Sequence, residues 1–119
     1  MSPLSLALTF GLSGLAFGSF LNVCIYRLPR QESLAWPASH CTSCQRRLAW
    51  YENVPVVSWL VLRGRCRTCG APISATYPIV EVITGIVFAG AVLVYGLTWL
   101  LAVRLLFASA LIVLFVIDL

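Results

Sequence analysis

Lysine is absent from this sequence, and charge of either sign is scarce: eight arginines and four acidic residues, 10% of 119 residues. A soluble globular domain carries roughly a quarter of its residues charged. The deficit is uneven, because long stretches hold no charge and one stretch holds most of it. That pattern excludes an ordinary soluble globule and fits apolar spans separated by an aqueous segment. Residues 1–5, Met-Ser-Pro-Leu-Ser, have no positive side chain, and the arginines follow the first apolar stretch. This order suits a retained first span rather than a cleaved secretory leader. Without such a leader, the five cysteines lose their simplest reading as the disulfides of a small secreted protein. No internal repeat or low-complexity tract is visible.

What is abundant is apolar: 61% of the residues are hydrophobic and the mean hydropathy is +0.96. Leu4 to Tyr26 is uncharged, 23 residues long, and as a helix spans about 34 Å, enough for a hydrocarbon core of about 30 Å. Gly11, Gly14, Gly18 and Asn22 recur at three- or four-residue spacing on one side of it, and Gly14 and Gly18 form a GxxxG pair that admits a close helix neighbour. Asn22 wants a partner, within the membrane or near its interface. From Pro78 to Ile117 the chain is apolar except for Glu81 and Arg104, too long for one span. Tyr95-Gly96-Leu97-Thr98 divides it into helices at 78–95 and 99–119, joined as an antiparallel hairpin. Arg104 either snorkels or pairs.

Between the first two spans lies residues 27–77. Seven arginines against Glu32 and Glu52 give the stretch from Arg27 to Arg67 a net charge of +5. Nucleic-acid binding is one meaning of such charge, but between two apolar spans the positive-inside bias explains it more simply and places the segment in the cytoplasm, with the amino terminus outside. Glu81 and Asp118 then both sit toward the cytoplasmic face. Pro29, Pro37, Pro55 and Pro72 exclude a long helix from this loop. Leu48 to Leu62, with Trp50, Tyr51 and Trp59, is apolar enough to lie at the membrane surface or to form the core of a small metal-bound lobe.

Cys41-Thr-Ser-Cys44 and Cys66-Arg-Thr-Cys69 are two C-x-x-C knuckles separated by 21 residues. Two residues between thiolates let both bind one tetrahedral ion, so the pair predicts a closed four-cysteine site for structural zinc. The gap is slightly longer than the usual spacing. A redox dithiol, a rubredoxin-like iron and substitution of one cysteine by His40 are the alternatives. Arginines 46, 47, 63, 65 and 67 are expected to favour the thiolates. The fold class that follows is all-α and membrane-embedded, three transmembrane helices with a small four-cysteine zinc-binding cytoplasmic loop between the first and second.

Several motifs occur together: Gly18-Ser-Phe-Leu-Asn22-Val, Arg27-Leu-Pro29, Glu52-Asn-Val-Pro55, Val57-Ser-Trp-Leu60, Arg63-Gly64-Arg-Cys66, the knuckles, and Tyr77-Pro-Ile-Val-Glu81. In this order the sequence resembles the amino-terminal half of the prepilin leader peptidases. The resemblance implies an inner-membrane aspartic endopeptidase of the GxGD type. Such enzymes cut the basic leader from type IV prepilins or type II secretion pseudopilins, and commonly methylate the new amino terminus with S-adenosylmethionine. It implies prepilin substrates and membrane lipid as partners, and no nucleic acid.

The family's first catalytic aspartate falls on Asp118 in Val116-Ile-Asp118-Leu119; its second, in a later Gly-x-Gly-Asp, has no counterpart here. An aspartic dyad needs two carboxylates sharing a proton, so this chain is expected to be inactive alone. It resembles the front of a longer enzyme, a truncated frame, or a half awaiting its carboxyl-terminal partner. For methyl transfer the resemblance points to Glu81 and the Gly64 neighbourhood. Without a glycine-rich nucleotide fingerprint, loop and span ends must assemble that site together. Glu81 is otherwise expected to pair with a loop arginine or with Asn22. The competing class is a zinc-loop membrane scaffold without catalysis, or a decayed enzyme.

Overall fold

The computed structural model describes residues 2–34, 40, 41 and 43–119, without the Trp50 side chain. Expectations for Pro37 and for the Trp50 indole therefore lie outside the described residues. The first helix, α1, runs Pro3–Arg27. Ser2 caps it by accepting the Ser5 amide at 3.1 Å, and Pro3 occupies the first turn, where no amide is needed. Two residues beyond Arg27, Pro29 has no N–H with which to continue the ladder. Arg27 is buried, and its guanidinium donates to the carbonyls of Ser33 and Leu34 at 3.0 and 3.4 Å, tying the loop back to the helix end.

A short helix in the loop after α1, α2, runs Val57–Val61. Beyond the loop, helix α3 runs Thr76–Tyr95 and α4 runs Trp99–Asp118. Gly96, at φ 76°, ends α3 in a conformation that favours glycine, and Thr98 caps α4 by accepting the Leu101 amide at 3.3 Å. Helices α1, α3 and α4 are long and apolar enough to cross a membrane. Among the described residues no β-strand forms; there are two isolated bridges only.

The glycines decide how α1 meets α3. A Cβ at Gly14 would lie 2.7 Å from the Gly85 Cα, and one at Gly18 would lie 2.8 Å from the Glu81 Cα. The backbones thus touch where side chains would keep them apart. Gly11 faces Ala89 and Asn22 reaches Tyr77, so the helices run antiparallel in one fixed register. Against α4, Val80 shares a buried cluster with Val113, and Phe88 and Val92 share another with Leu101 and Leu105. These pairs advance in opposite directions by equal steps, which carries Asp118 to the level of Ala75, at the loop end of the bundle. At the other end the Arg104 guanidinium stacks 4.0 Å from the Tyr95 ring centroid, pairing through a cation–π contact.

Candidate functional site

Each knuckle is built by the same local hydrogen bonds. The Cys41 amide donates to Arg46 O at 2.9 Å and Gln45 N–H to Cys41 O at 2.9 Å; the Cys66 amide donates to Ala71 O at 2.8 Å and Gly70 N–H to Cys66 O at 3.0 Å. Gln45 and Gly70 occupy equivalent left-handed positions, φ 63° and 71°. Bridges His40–Arg47 and Arg65–Pro72 close the two turns in the same way. The knuckles are therefore a structural repeat that the sequence did not disclose. Its signal is only Cys-x-x-Cys recurring 25 residues on, with glutamine where the second copy has glycine.

The two turns face one another. All four Sγ atoms lie within 4.8 Å of each other, with Cys41–Cys69 at 3.6 Å and Cys44–Cys66 at 3.9 Å. A tetrahedral ion with metal–sulfur bonds of about 2.3 Å sets sulfurs roughly 3.8 Å apart, so these residues fit a four-thiolate ion. His40 is not one of the grouped ligands; its backbone pairs with Arg47. Backbone amides, rather than the expected arginines, are the chief cause of thiolate character. The amides of Cys69 and Thr68 pull Cys66 down to about 6, and those of Cys44 and Ser43 lower Cys41. The reason is proximity: a knuckle aims its own N–H groups at the first sulfur of the turn. The Ala71 amide is the largest single influence on Cys69 and favours its thiolate, but desolvation and the side-chain hydrogen bonds with Cys41, Cys66 and Cys44 together outweigh it and push Cys69 up to about 11.

Arg46 serves the lobe in another way. It makes an ion pair of 2.5 Å with the buried Glu52, whose other oxygen accepts the Ala49 amide at 3.1 Å and starts the 3-10 turn Trp50–Asn53. Arg46 holds the Glu52 carboxyl below its usual range.

Glu81 is buried, one turn inside α3. Neither expected partner holds it. One oxygen accepts the Ser19 hydroxyl from α1, and the other accepts the Val56 amide at 2.9 Å. Val56 has φ 61° and ψ −52°, and the next amide donates to Pro55 O at 2.5 Å. This is a positive-φ γ-turn, a rare and strained conformation for a β-branched residue. The strain turns a backbone N–H toward a buried carboxylate. Asn22 gives its amide nitrogen to Tyr77 O at 3.0 Å, while its buried oxygen has no protein partner among the described residues.

Between these groups and the knuckles lies a cavity of about 650 Å³, within the range of small-molecule sites. Glu81, Asn22 and Tyr77 line its membrane side, and Cys41, Cys66 and Trp59 its lobe side. Trp59 faces inward here, donating its indole N–H to Ile73 O at 3.1 Å. Gly64 is not on the wall. It lies beneath Trp59 at φ 69°, where a Cβ would come within 2.8 Å of the indole, so it can shape the cavity only through that ring. Asp118 is exposed at the bundle mouth and is not one of the lining residues, and its carboxylate makes no hydrogen bond or ion pair among the described residues. The structure thus places Glu81 and Asn22 on one cavity with Cys41 and Cys66 of the knuckles, and leaves Asp118 outside its lining. Sequence reasoning missed Ser19 and Val56; the signals for Ser19 were its place inside the Gly18-Ser-Phe-Leu-Asn22-Val motif and three residues before Asn22, one helical turn away on the same face.

Comparison with known proteins places these features. The chain is 50% identical over 106 residues to a prepilin leader peptidase/N-methyltransferase of Myxococcus xanthus, covering 89% of this chain and 32% of that protein. A Klebsiella pneumoniae protein of the same name is 49% identical over 83 residues, 65% of this chain and 36% of its own length. A type 4 prepilin-like proteins leader peptide-processing enzyme of Escherichia coli O78:H11 is 43% identical over 125 residues, covering 89% and 46%. This chain therefore spans between about a third and just under half of the curated relatives it matches. No solved structure matches it. Residues 12–95 match the family model for the bacterial peptidase A24 N-terminal domain, and with the knuckles, the Gly14, Gly18 and Gly85 contacts and the buried glutamate all inside that range, the chain belongs to this family.

Proposed function

We propose that this chain is the amino-terminal part of a prepilin leader peptidase/N-methyltransferase of a bacterial inner membrane, its knuckle lobe cytoplasmic. The observation that carries the reading is the cavity between the metal lobe and the helix ends, with the Glu81 carboxylate held on its wall by Ser19 and Val56. Cys41, Cys44, Cys66 and Cys69 would hold zinc, which cross-links the lobe when bound. S-adenosylmethionine would occupy the cavity and supplies a methyl group when bound. The chain's own part is to orient the amine and handle its proton. Glu81 faces the new amino terminus and accepts the proton that the nitrogen sheds on methylation. Ser19 and Val56 fix the direction of the carboxylate, and Gly64 acts at one remove by seating Trp59. Asp118 is half of a proton-sharing dyad at the bundle mouth, where a substrate's basic leader meets its apolar stretch. The second aspartate comes from a further Gly-x-Gly-Asp segment.

The test separates the two chemistries in a full-length enzyme carrying that segment, with mass spectrometry resolving precursor, cleaved and cleaved-methylated pilin. Asp118→Asn abolishes cleavage. Glu81→Gln leaves cleavage in place and lowers methylation by about 10²-fold or more, the usual scale for losing a positioned base. The 119 residues alone cleave nothing. Normal processing by the Asn variant removes Asp118 from the dyad, and normal methylation by the Gln variant removes Glu81 from the methyl-transfer site.

A further inference from the structure

Helix α2 exposes apolar side chains that none of the described residues covers. Val57 is 56% exposed, Leu60 61% and Val61 74%, while Trp59 on the other side turns toward the cavity. In a loop surrounded by water such a patch is unfavourable, yet the position of α2 is fixed by a contact inside the bundle. The Val56 amide, immediately before α2, is bonded to Glu81, the sixth residue of α3. At 1.5 Å per residue, the Glu81 Cα lies about 7 Å below the start of that helix. A glutamate side chain leans back toward the helix N-terminus, so α2 is held beside the first turns of α3, at the level where a spanning helix passes from headgroups to acyl chains. Exposed apolar residues of α3 continue from that level, Ile79 at 54% and Ile86 at 66%. Arg63 and Arg65, both exposed, follow α2 directly.

We propose that α2 is a lipid-seated wedge: Val57, Leu60 and Val61 insert at the headgroup–acyl boundary of an anionic leaflet, with Arg63 and Arg65 at its phosphates. Apolar residues on one side followed by arginines are what an interfacial anchor requires. The seat holds the strained Val56 turn down onto Glu81, so the leaflet forms the floor against which the cavity is closed.

The experiment places a nitroxide on p-acetylphenylalanine, which spares the native thiols, at positions 57, 60 and 61 in turn. Ile86 serves as the lipid-facing reference and Glu32 as the aqueous one. In vesicles of phosphatidylethanolamine and phosphatidylglycerol, labels at 57, 60 and 61 collide more with oxygen than with a water-soluble nickel chelate, as at Ile86, with the order reversed at Glu32. Replacing both lipids by phosphatidylcholine shifts the three labels toward the aqueous collider. Accessibility at all three equal to that at Glu32 overturns the wedge, and unchanged depth in phosphatidylcholine overturns the role given to Arg63 and Arg65. These readouts involve neither cleavage nor methylation, so they stand or fall apart from the enzymatic reading.

Discussion

Gly14 and Gly90 are both helical glycines, yet a methyl group at each meets a different world. At Gly14 the added carbon would come within 2.7 Å of the Gly85 Cα and 2.8 Å of the Thr84 carbonyl oxygen, backbone atoms that cannot swing aside; at Gly90 nothing lies within 4 Å. Gly14→Ala should therefore separate α1 from α3, at a cost of about 1–3 kcal/mol as for other overpacked contacts. Gly90→Ala should be neutral or gain up to about 1 kcal/mol, the helix preference of alanine over glycine. Thermal unfolding of the two variants in one detergent measures the difference, and a Gly14→Ala protein as stable as Gly90→Ala would dismiss the close seam. The same seam carries Ser19 and Asn22 to Glu81 and Tyr77, so the loss extends to the cavity wall.

Two short turns do at the scale of an element what a hydrophobic core does in a larger lobe. The described loop holds only a 3-10 turn and the five-residue α2 as helix, so its shape rests on the facing knuckles and on a few polar contacts: Arg46–Glu52, Trp59–Ile73, Val56–Glu81 and the Arg27 tie to Ser33 and Leu34. We expect one zinc per chain. Structural zinc contributes on the order of 10 kcal/mol to forming a small lobe, so Cys41→Ser or Cys66→Ser should expose the loop to protease while the helices stay inserted. Elemental analysis and limited proteolysis check both points. A metal-free protein with a resistant loop, or iron with a visible absorption band, contradicts the expectation.

Across the whole molecule, helix ends and charge divide cleanly. The +5 segment, the knuckles and the start of α3 gather at one end with Asp118, and the Gly96 turn and Arg104 lie at the other. With the positive-inside bias setting orientation, the knuckle end is expected to be cytoplasmic. A membrane-impermeant thiol reagent applied to intact cells should leave Cys41, Cys44, Cys66 and Cys69 unmodified even after chelation, and label them once the membrane is opened. Ready labelling of intact cells reverses the orientation.

The sequence by itself determined the three apolar helices and the four-cysteine grouping, because length, hydropathy and C-x-x-C spacing are local properties of the chain. It also marked Gly14, Gly18, Asn22 and Glu81 as exceptional, because small or polar residues in an apolar helix have few neutral explanations. What those residues touch was decided only in three dimensions. An arginine was the natural partner for Glu81 by charge, yet a hydroxyl and a strained backbone amide hold it, since the antiparallel register of α1 on α3 brings Ser19 there. Trp59 read as either an interfacial aromatic or part of a small lobe's core, and only the fold shows it walling a cavity, where Gly64 leaves room for its ring. Thiolate character looked like the work of nearby arginines and comes chiefly from amides within each knuckle. Pattern along a chain fixes which groups must be satisfied; only packing, where elements distant in sequence meet at a set register, fixes which partner satisfies them.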